Sequence, residues 1–262
     1  MSVPTLHRTT PAVRPGRQSR ATVRRRWVLP GRIVARDTAA ILQLRDDVPA
    51  GLLMDVLDDR GLRARTVRVD RDEPLPDPRT LATAIILGTA NSVVYNRASR
   101  WLHTELEWIR QADRAGTPVL GLGSGAHALA TALGGGAEPA QRPRRGWIRV
   151  ETNVPDVIVR GPWLAWNEGL IELPPGAELL AHDRVGPQAF SIRGHLGAQF
   201  HPEVRPETVA GWVGFRRGEA VDGQPLDGQA VLEATSREQL AATAASGRLL
   251  SAFIDSAQRR AR

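Results

Sequence analysis

Between Pro118 and Ala130 the chain reads PVLGLGSGAHALA: a short apolar run, then Gly121, Gly123 and Gly125 at alternate positions, then an alanine-rich stretch carrying His127. A strand that ends in Gly-x-Z-x-Gly and turns directly into a helix has the geometry of a nucleophile elbow. Residue Z sits at the tip on a strained backbone, and the amide of the next residue points at the reacting carbonyl. Here Z is Gly123. The pattern therefore supplies the support for acyl-transfer chemistry and no side chain to perform it. Glycine carries no steric penalty in that backbone conformation, which fits a position released from catalytic duty.

Composition removes further chemistries. The 262 residues include no cysteine, and every one of the 35 basic residues is arginine. Disulfides, thiolate nucleophiles, cysteine-ligated zinc or iron-sulfur centres, Schiff-base lysines and a Walker lysine are all excluded. The net charge of +7 resolves into nine arginines and no acid between Met1 and Arg36, leaving 7 − 9 = −2 on the rest. A segment rich in Arg, Pro, Thr and Ser cannot bury enough apolar surface to offset its ordering entropy, so residues 1–38 are expected to be a solvated extension. Nucleic acid would be reached only through this tail, since a near-neutral body offers no extended basic face. Arg24, Arg25, Arg26 and Trp27 suggest a twin-arginine signal, but Pro30 and Gly31 cut the following apolar run short. No stretch is long and apolar enough to span a bilayer, and a cytoplasmic location is expected.

The elements that must position the elbow follow from periodicity. From Ala39 onward, short apolar runs alternate with amphipathic ones, the layout of an α/β domain with a mainly parallel sheet. Strands are expected at Ala40–Leu44, Thr66–Val69, Ala84–Leu87 and Val119–Gly121. Helices are expected at Pro49–Arg60 with Gly61 as terminator, at Ala98–Ala115 with Leu102, Leu106 and Ile109 on one face, and at Ala126–Leu133. Trp101 and Trp108, seven apart, read as core or cover. Past Trp147 the runs are shorter (Trp147–Glu151, Leu179–His182, Ala189–Ile192, Leu196–Phe200), as in an antiparallel extension. A last helix is expected from Ser236, where Ser-Arg-Glu-Gln has the form of a capping box, with Leu240, Leu249, Leu250 and Phe253 along it.

With the elbow in place, the sequence resembles the class I glutamine amidotransferases over roughly Ala39 to Trp212. That family carries an elbow P-V-L-G-I-C-x-G-x-Q-x-L-A followed by A-L-G-G, and a later Q-F-H-P-E segment. This chain has PVLGLGSGAHALATALGG from Pro118 to Gly135 and AQFHPEV from Ala198 to Val204. It also has ILGTANSVVY (Ile86–Tyr95) at the family's oxyanion loop and IELPPGAELLA (Ile171–Ala181) at a matching L-P-x-G-A segment. The resemblance implies a flavodoxin-like three-layer α/β sandwich spanning 39–212, with 213–262 as a loop and helix packed on the same domain. It implies His201 and Glu203 as the catalytic His and Glu, Gly123 at the cysteine position, and His127 where many members have glutamine. Gly88 and Thr89 fall in the oxyanion loop, with Thr89 and Ala90 replacing its second glycine and proline. Trp166, Asn167, Glu168 and Gly169 stand where many members read Trp-His-x-Asp.

In the family a cysteine thiolate attacks the glutamine amide, the histidine moves protons, the glutamate orients it, and backbone amides hold the oxyanion. Deleting a triad nucleophile costs on the order of a millionfold in turnover, about 8 kcal/mol. The expectation is a domain without cysteine-dependent glutaminase activity. It would bind a small amide or carboxylate at Gly88, Thr89, Gly123, Ser124, His127, His201 and Glu203, and partner a synthase or an active amidotransferase subunit. The alternative is a repurposed hydrolase or acyl transferase, using Ser124 after a one-residue slip of the turn or a water activated by His201. A metal held by His127, His201 and Glu203 is a weaker reading than a triad remnant plus one helix histidine. No metal and no cofactor are expected. His7, His103, His182 and His195 have no motif around them and read as surface or packing residues.

Overall fold

A computed structural model of the chain describes residues 36–89, 99–215, 220–221 and 224–261. Nearly all of the expected N-terminal extension, and the part of the expected oxyanion loop from Ala90 to Tyr95, lie outside the described residues. In chain order the elements are β1 (Thr38–Gln43), α1 (Leu52–Asp59), β2 (Arg63–Arg68), β3 (Thr83–Ile86), α2 (Arg100–Arg114), β4 (Val119–Leu122), α3 (Ser124–Ala132), β5 (Gly136–Ile148), β6 (Glu151–Thr152), β7 (Trp163–Glu172), β8 (Glu178–Asp183), β9 (Gly186–Ile192), β10 (His195–Ala198), α4 (Pro206–Phe215), β11 (Ala220–Val221), β12 (Gln224–Pro225) and α5 (Gly228–Ala261).

The main sheet has the order β2-β1-β3-β4-β10-β9-β8-β6. Its first five strands are parallel, and β9, β8 and β6 extend it antiparallel. Central strands covered by helices on both faces read as continuous apolar runs, and β1 (TAAILQ) and β3 (TAII) do so. Alternate residues serve the two faces. Ala39, Ile41, Ile85 and Leu120 join α1 and α5 in one core through Leu53, Leu57, Leu249 and Phe253. Ala40, Leu42, Ala84 and Ile86 join α2 and α3 in the other through Leu102, Ile109, Ala126 and Leu129. The result is the expected flavodoxin-like three-layer α/β sandwich, with the C-terminal helix sharing the core of the sheet. No helix among the described residues is long and apolar enough to cross a membrane.

Three expectations are corrected, and one helix had not been expected. The helix expected from Pro49 starts at Leu52, because Gly51 takes φ 51° and ψ −122°, outside the helical region. The last helix begins at Gly228 rather than Ser236. Its start is set by Asp227, whose carboxylate accepts from Ala230 N at 2.9 Å. Ser236 lies inside the helix with its hydroxyl donated to the Leu232 carbonyl, so the capping-box signature there marks no terminus. The strand expected at Trp147–Glu151 is divided: Trp147 and Ile148 end the longer β5, which forms a separate two-stranded ribbon with β7, while Glu151 begins β6 of the main sheet. Pro139 and Pro143 obscured it. Both sit at or beside a break in register between Pro139 and Arg144, and a two-stranded ribbon leaves an edge at which missing donors are tolerated. Finally, α4 carries too weak an apolar stripe to be seen from periodicity.

The buried face of α2 holds Leu102, Leu106, Trp108, Ile109 and Ala112 as spaced, and Trp108 Nε1 donates to the Pro76 carbonyl at 2.8 Å. It also holds Glu105, only 2% exposed. Burial pushes its carboxyl up to about 8 from an ordinary 4.5. Between those values the folded chain binds a proton that the unfolded chain has released, so stability falls as pH rises through this window. Glu105→Gln should therefore gain on the wild type between pH 5 and pH 8, by up to ~1.4 kcal/mol per pH unit. Urea unfolding at both pH values measures the difference, and a difference independent of pH would contradict a protonated Glu105.

Candidate functional site

Strand β4 delivers the chain to the elbow. Gly123 has φ 56° and ψ −123° and is the N-cap of α3, a backbone conformation at positive φ that glycine alone adopts freely. Its amide donates to the Ala198 carbonyl at 2.9 Å, tying the tip to the end of β10. The flanking glycines are required for close approach. A Cβ on Gly121 would fall 2.5 Å from the Gly125 carbonyl oxygen, and one on Gly125 would fall 2.1 Å from that of Ile86. Helix α3 thus lies directly on the backbones of β3 and β4. At the opposite end of β4 stands His195, 3% exposed, whose Nδ1 accepts from Val119 N and whose Nε2 donates to Asp113, both at 3.0 Å. His103 and His182 are exposed.

His201 and Glu203 follow β10. The His201 amide donates to the Leu164 carbonyl at 2.9 Å, and the Glu203 carbonyl accepts from Leu52 N at 2.8 Å, so β7 and the start of α1 fix the two residues. A Cβ at Gly51 would collide with that carbonyl at 2.0 Å, which explains a glycine there. His201 Nδ1 donates to Glu203 Oε1 at 2.7 Å, with the pair 5% and 0% exposed. The ring meets Trp212 edge-on at 5.0 Å, and Trp212 is itself held by a 2.7 Å bond to the Asp47 carbonyl. In the neutral ring, with Nδ1–H given to a carboxylate, Nε2 carries the lone pair. Nε2 has no hydrogen-bond partner among the described residues. It faces the elbow: a Cβ on Gly123 would fall 2.7 Å from Nε2 and 2.3 Å from Cε1. The imidazole stands where an elbow side chain would begin.

Ser124 is turned elsewhere. Its Oγ accepts from Thr89 N at 2.7 Å, and its hydroxyl donates to the Thr89 carbonyl at 3.2 Å. His127, 1% exposed, donates from Nε2 to Gln199 Oε1 at 3.1 Å, and burial lowers its pKa to about 4, so it is neutral at pH 7. Among the described residues no group of three His, Cys, Asp or Glu side chains is placed to hold a metal.

Gly88, Thr89, Ser124, His127 and His201 line one cavity. Glu203 lies behind His201 and does not line it. Asn167 adds a buried side-chain amide with neither atom partnered among the described residues. Arg145, its side chain 1% exposed, reaches Glu168 Oε1 at 2.5 Å and the Asn167 carbonyl at 2.9 Å, and its guanidinium lies 5.3 Å from the Trp166 ring.

No family model matches the chain. Over 104 residues, 37% of its length, it is 39% identical to a GMP synthase (glutamine-hydrolyzing) of Thermomicrobium roseum, of which it covers 19%. Over 97 residues, 34% of its length, it is 32% identical to one subunit of the GMP synthase (glutamine-hydrolyzing) of Ignicoccus hospitalis, of which it covers 52%. The chain thus spans from a fifth to about half of these relatives. A glutamine amidotransferase of Methylobacillus flagellatus superposes with a TM-score of 0.77 at 22% identity, covering 84% of this chain and 95% of that one. One from Thermotoga maritima gives 0.74 at 20% identity, covering 84% and 99%. The fold is that of glutamine amidotransferases.

Within this glutamine amidotransferase-like fold, Gly88, Thr89, Ser124, His127, Trp166, Asn167, Glu168 and His201 surround one cavity, with Gly123 under the His201 ring and Glu203 behind it, while Ala90 lies outside the described residues. Sequence reasoning missed Arg145, Trp212, Phe215 and Asp47, all of which line the cavity. Arg145 gave no signal because the prolines of β5 hide that strand. Trp212 and Phe215 sit on the unforeseen α4. The Trp166–Glu168 segment was visible through its family counterpart alone.

The elbow packing yields a paired expectation. Gly125→Ala should destabilise by about 3 kcal/mol or more, because the methyl meets the fixed Ile86 carbonyl. Gly211→Ala, in α4 with nothing within 4 Å of its Cβ, should be neutral or stabilising by roughly 0.5–1 kcal/mol. Chemical denaturation of the two variants checks both, and equal stabilities would contradict the close approach of α3.

Proposed function

We propose that the chain is a glutamine amidotransferase-like protein that binds a glutamine-related amide or carboxylate without hydrolysing it through a cysteine. The observation that carries this is the tip of the elbow. Gly123 offers no nucleophile, and the His201 ring fills the space above it. The His201–Glu203 pair retains a geometry suited to moving a proton, and nothing at position 123 gives it one to move. A ligand carbonyl would meet backbone amides at the start of α3, and the aromatic rings of Trp166 and Trp212 would cover its aliphatic part. Relatives named as one subunit of a GMP synthase support a role beside a synthase partner.

A second reading, hydrolysis by a water bound to His201, rests on the unpartnered Nε2 of an imidazole that still has its carboxylate. The two readings separate on turnover. Purified chain given L-glutamine should release ammonia no faster than its His201→Ala variant, on the order of a millionfold below a cysteine enzyme. Turnover that His201→Ala abolishes while Ser124→Ala leaves it intact would establish the water route instead. A fluorophosphonate probe should leave Ser124 unlabelled.

A further inference from the structure

We propose that the Ser124 hydroxyl is an internal ligand of the cavity, occupying the backbone-amide site that a carbonyl or carboxylate oxygen of the bound molecule would otherwise take. The inference rests on the ligand-binding reading above and adds the residue that controls entry of the ligand.

Thr89 and Ser124 come from different elements, the loop after β3 and the first position of α3, and both line the cavity. Thr89 N–H donates to Ser124 Oγ at 2.7 Å, a short N–H···O distance that shows the amide aimed at an oxygen. The amide of Ser124 itself, as the first of the helix, has no intrahelical acceptor. A Cβ on Gly88 would lie 3.2 Å from the Leu122 carbonyl oxygen, 3.3 Å from Ser124 N and 3.3 Å from His201 Cε1, so the Ser124 amide nitrogen and the imidazole approach one point beside Gly88. His201, 5% exposed and with Nε2 unpartnered among the described residues, lines the same cavity. Paired amide donors beside an imidazole form a site for the oxygen of an amide, carboxylate or tetrahedral adduct. Here one donor is already satisfied from within the chain.

The same geometry accounts for what Ser124 does not do. Its proton is donated to the Thr89 carbonyl at 3.2 Å, away from the His201 nitrogen that would have to accept it in a serine-type attack. A hydroxyl giving and receiving one hydrogen bond with the same residue serves as a plug. A ligand oxygen gains its bond to Thr89 only by breaking that of Ser124, so the net gain is close to zero. With the hydroxyl removed, the ligand gains a bond that until then was internal, which corresponds to about tenfold in affinity.

The test follows Thr89 directly. Amide hydrogen exchange by NMR on the full chain, with and without L-glutamine as the probe, is compared for wild type, Ser124→Ala and Ser124→Gly, with thermal melts confirming that each is folded. Exchange at Thr89 should quicken in both variants and slow again on adding L-glutamine, while wild type changes little, and titration calorimetry should show the variants binding L-glutamine about tenfold more tightly. Unchanged Thr89 exchange in folded variants would overturn the proposal. So would L-glutamine that protects Thr89 equally in wild type, or that protects it in neither. Thr89 exchange that quickens in the variants while no chain shows calorimetric binding of L-glutamine would count against the ligand-binding reading, whereas unchanged Thr89 exchange in chains that bind L-glutamine would overturn the Ser124 proposal alone.

Discussion

The approach of the His201 ring to the Cα of Gly123 is the constraint around which the rest of the site is arranged. It exists because three backbones cross at one point. The tip of β4 is pinned to Ala198 through Gly123 N, His201 is pinned to β7 through its amide, and Glu203 is pinned under the start of α1. Each crossing has its own glycine: Gly125 against β3, Gly51 against Glu203, and Gly123 against the imidazole. A side chain at any of them needs space that is already filled. The spacing of these glycines is therefore a packing requirement first, and the chemistry of the site is built on it.

That arrangement explains how a buried His–Glu pair persists beside a glycine elbow. The His201–Glu203 hydrogen bond is buried at both ends, and the ring is further held edge-on by Trp212. Removing one partner would leave the other buried and unpaired, a cost of several kcal/mol. The pair thus has a structural reason to remain that is independent of turnover. His195 shows the same logic away from the site. Locked between Val119 N and Asp113, it fixes the entry to β4, and burial keeps it neutral by lowering its pKa.

How much of this was legible in the sequence depended on whether the signal was local. The strand-turn-helix at Gly121–Gly125 was readable because its requirement is carried by consecutive residues. The parallel strands were readable because burial on both faces leaves uninterrupted apolar runs. The β5–β7 ribbon was not, since Pro139 and Pro143 suggest a break in the strand and the residues that matter, Arg145 and Trp166–Glu168, line a cavity rather than a core. Ser236 misled because Ser-Arg-Glu-Gln has the form of a cap wherever it occurs, and only the bond from Ala230 N to Asp227, well before it in the chain, shows where the helix starts. The coupling of Ser124 to Thr89 was beyond reach, because no spacing in the chain reports which way a hydroxyl turns.

The central claim is that the imidazole occupies the place of an elbow side chain, and a crystal structure of Gly123→Ala beside the wild type tests it most directly. With a methyl at position 123, His201 should swing out, losing its 2.7 Å bond to Glu203 and its 5.0 Å edge contact with Trp212. A variant that accommodates the methyl with both contacts unchanged would contradict it.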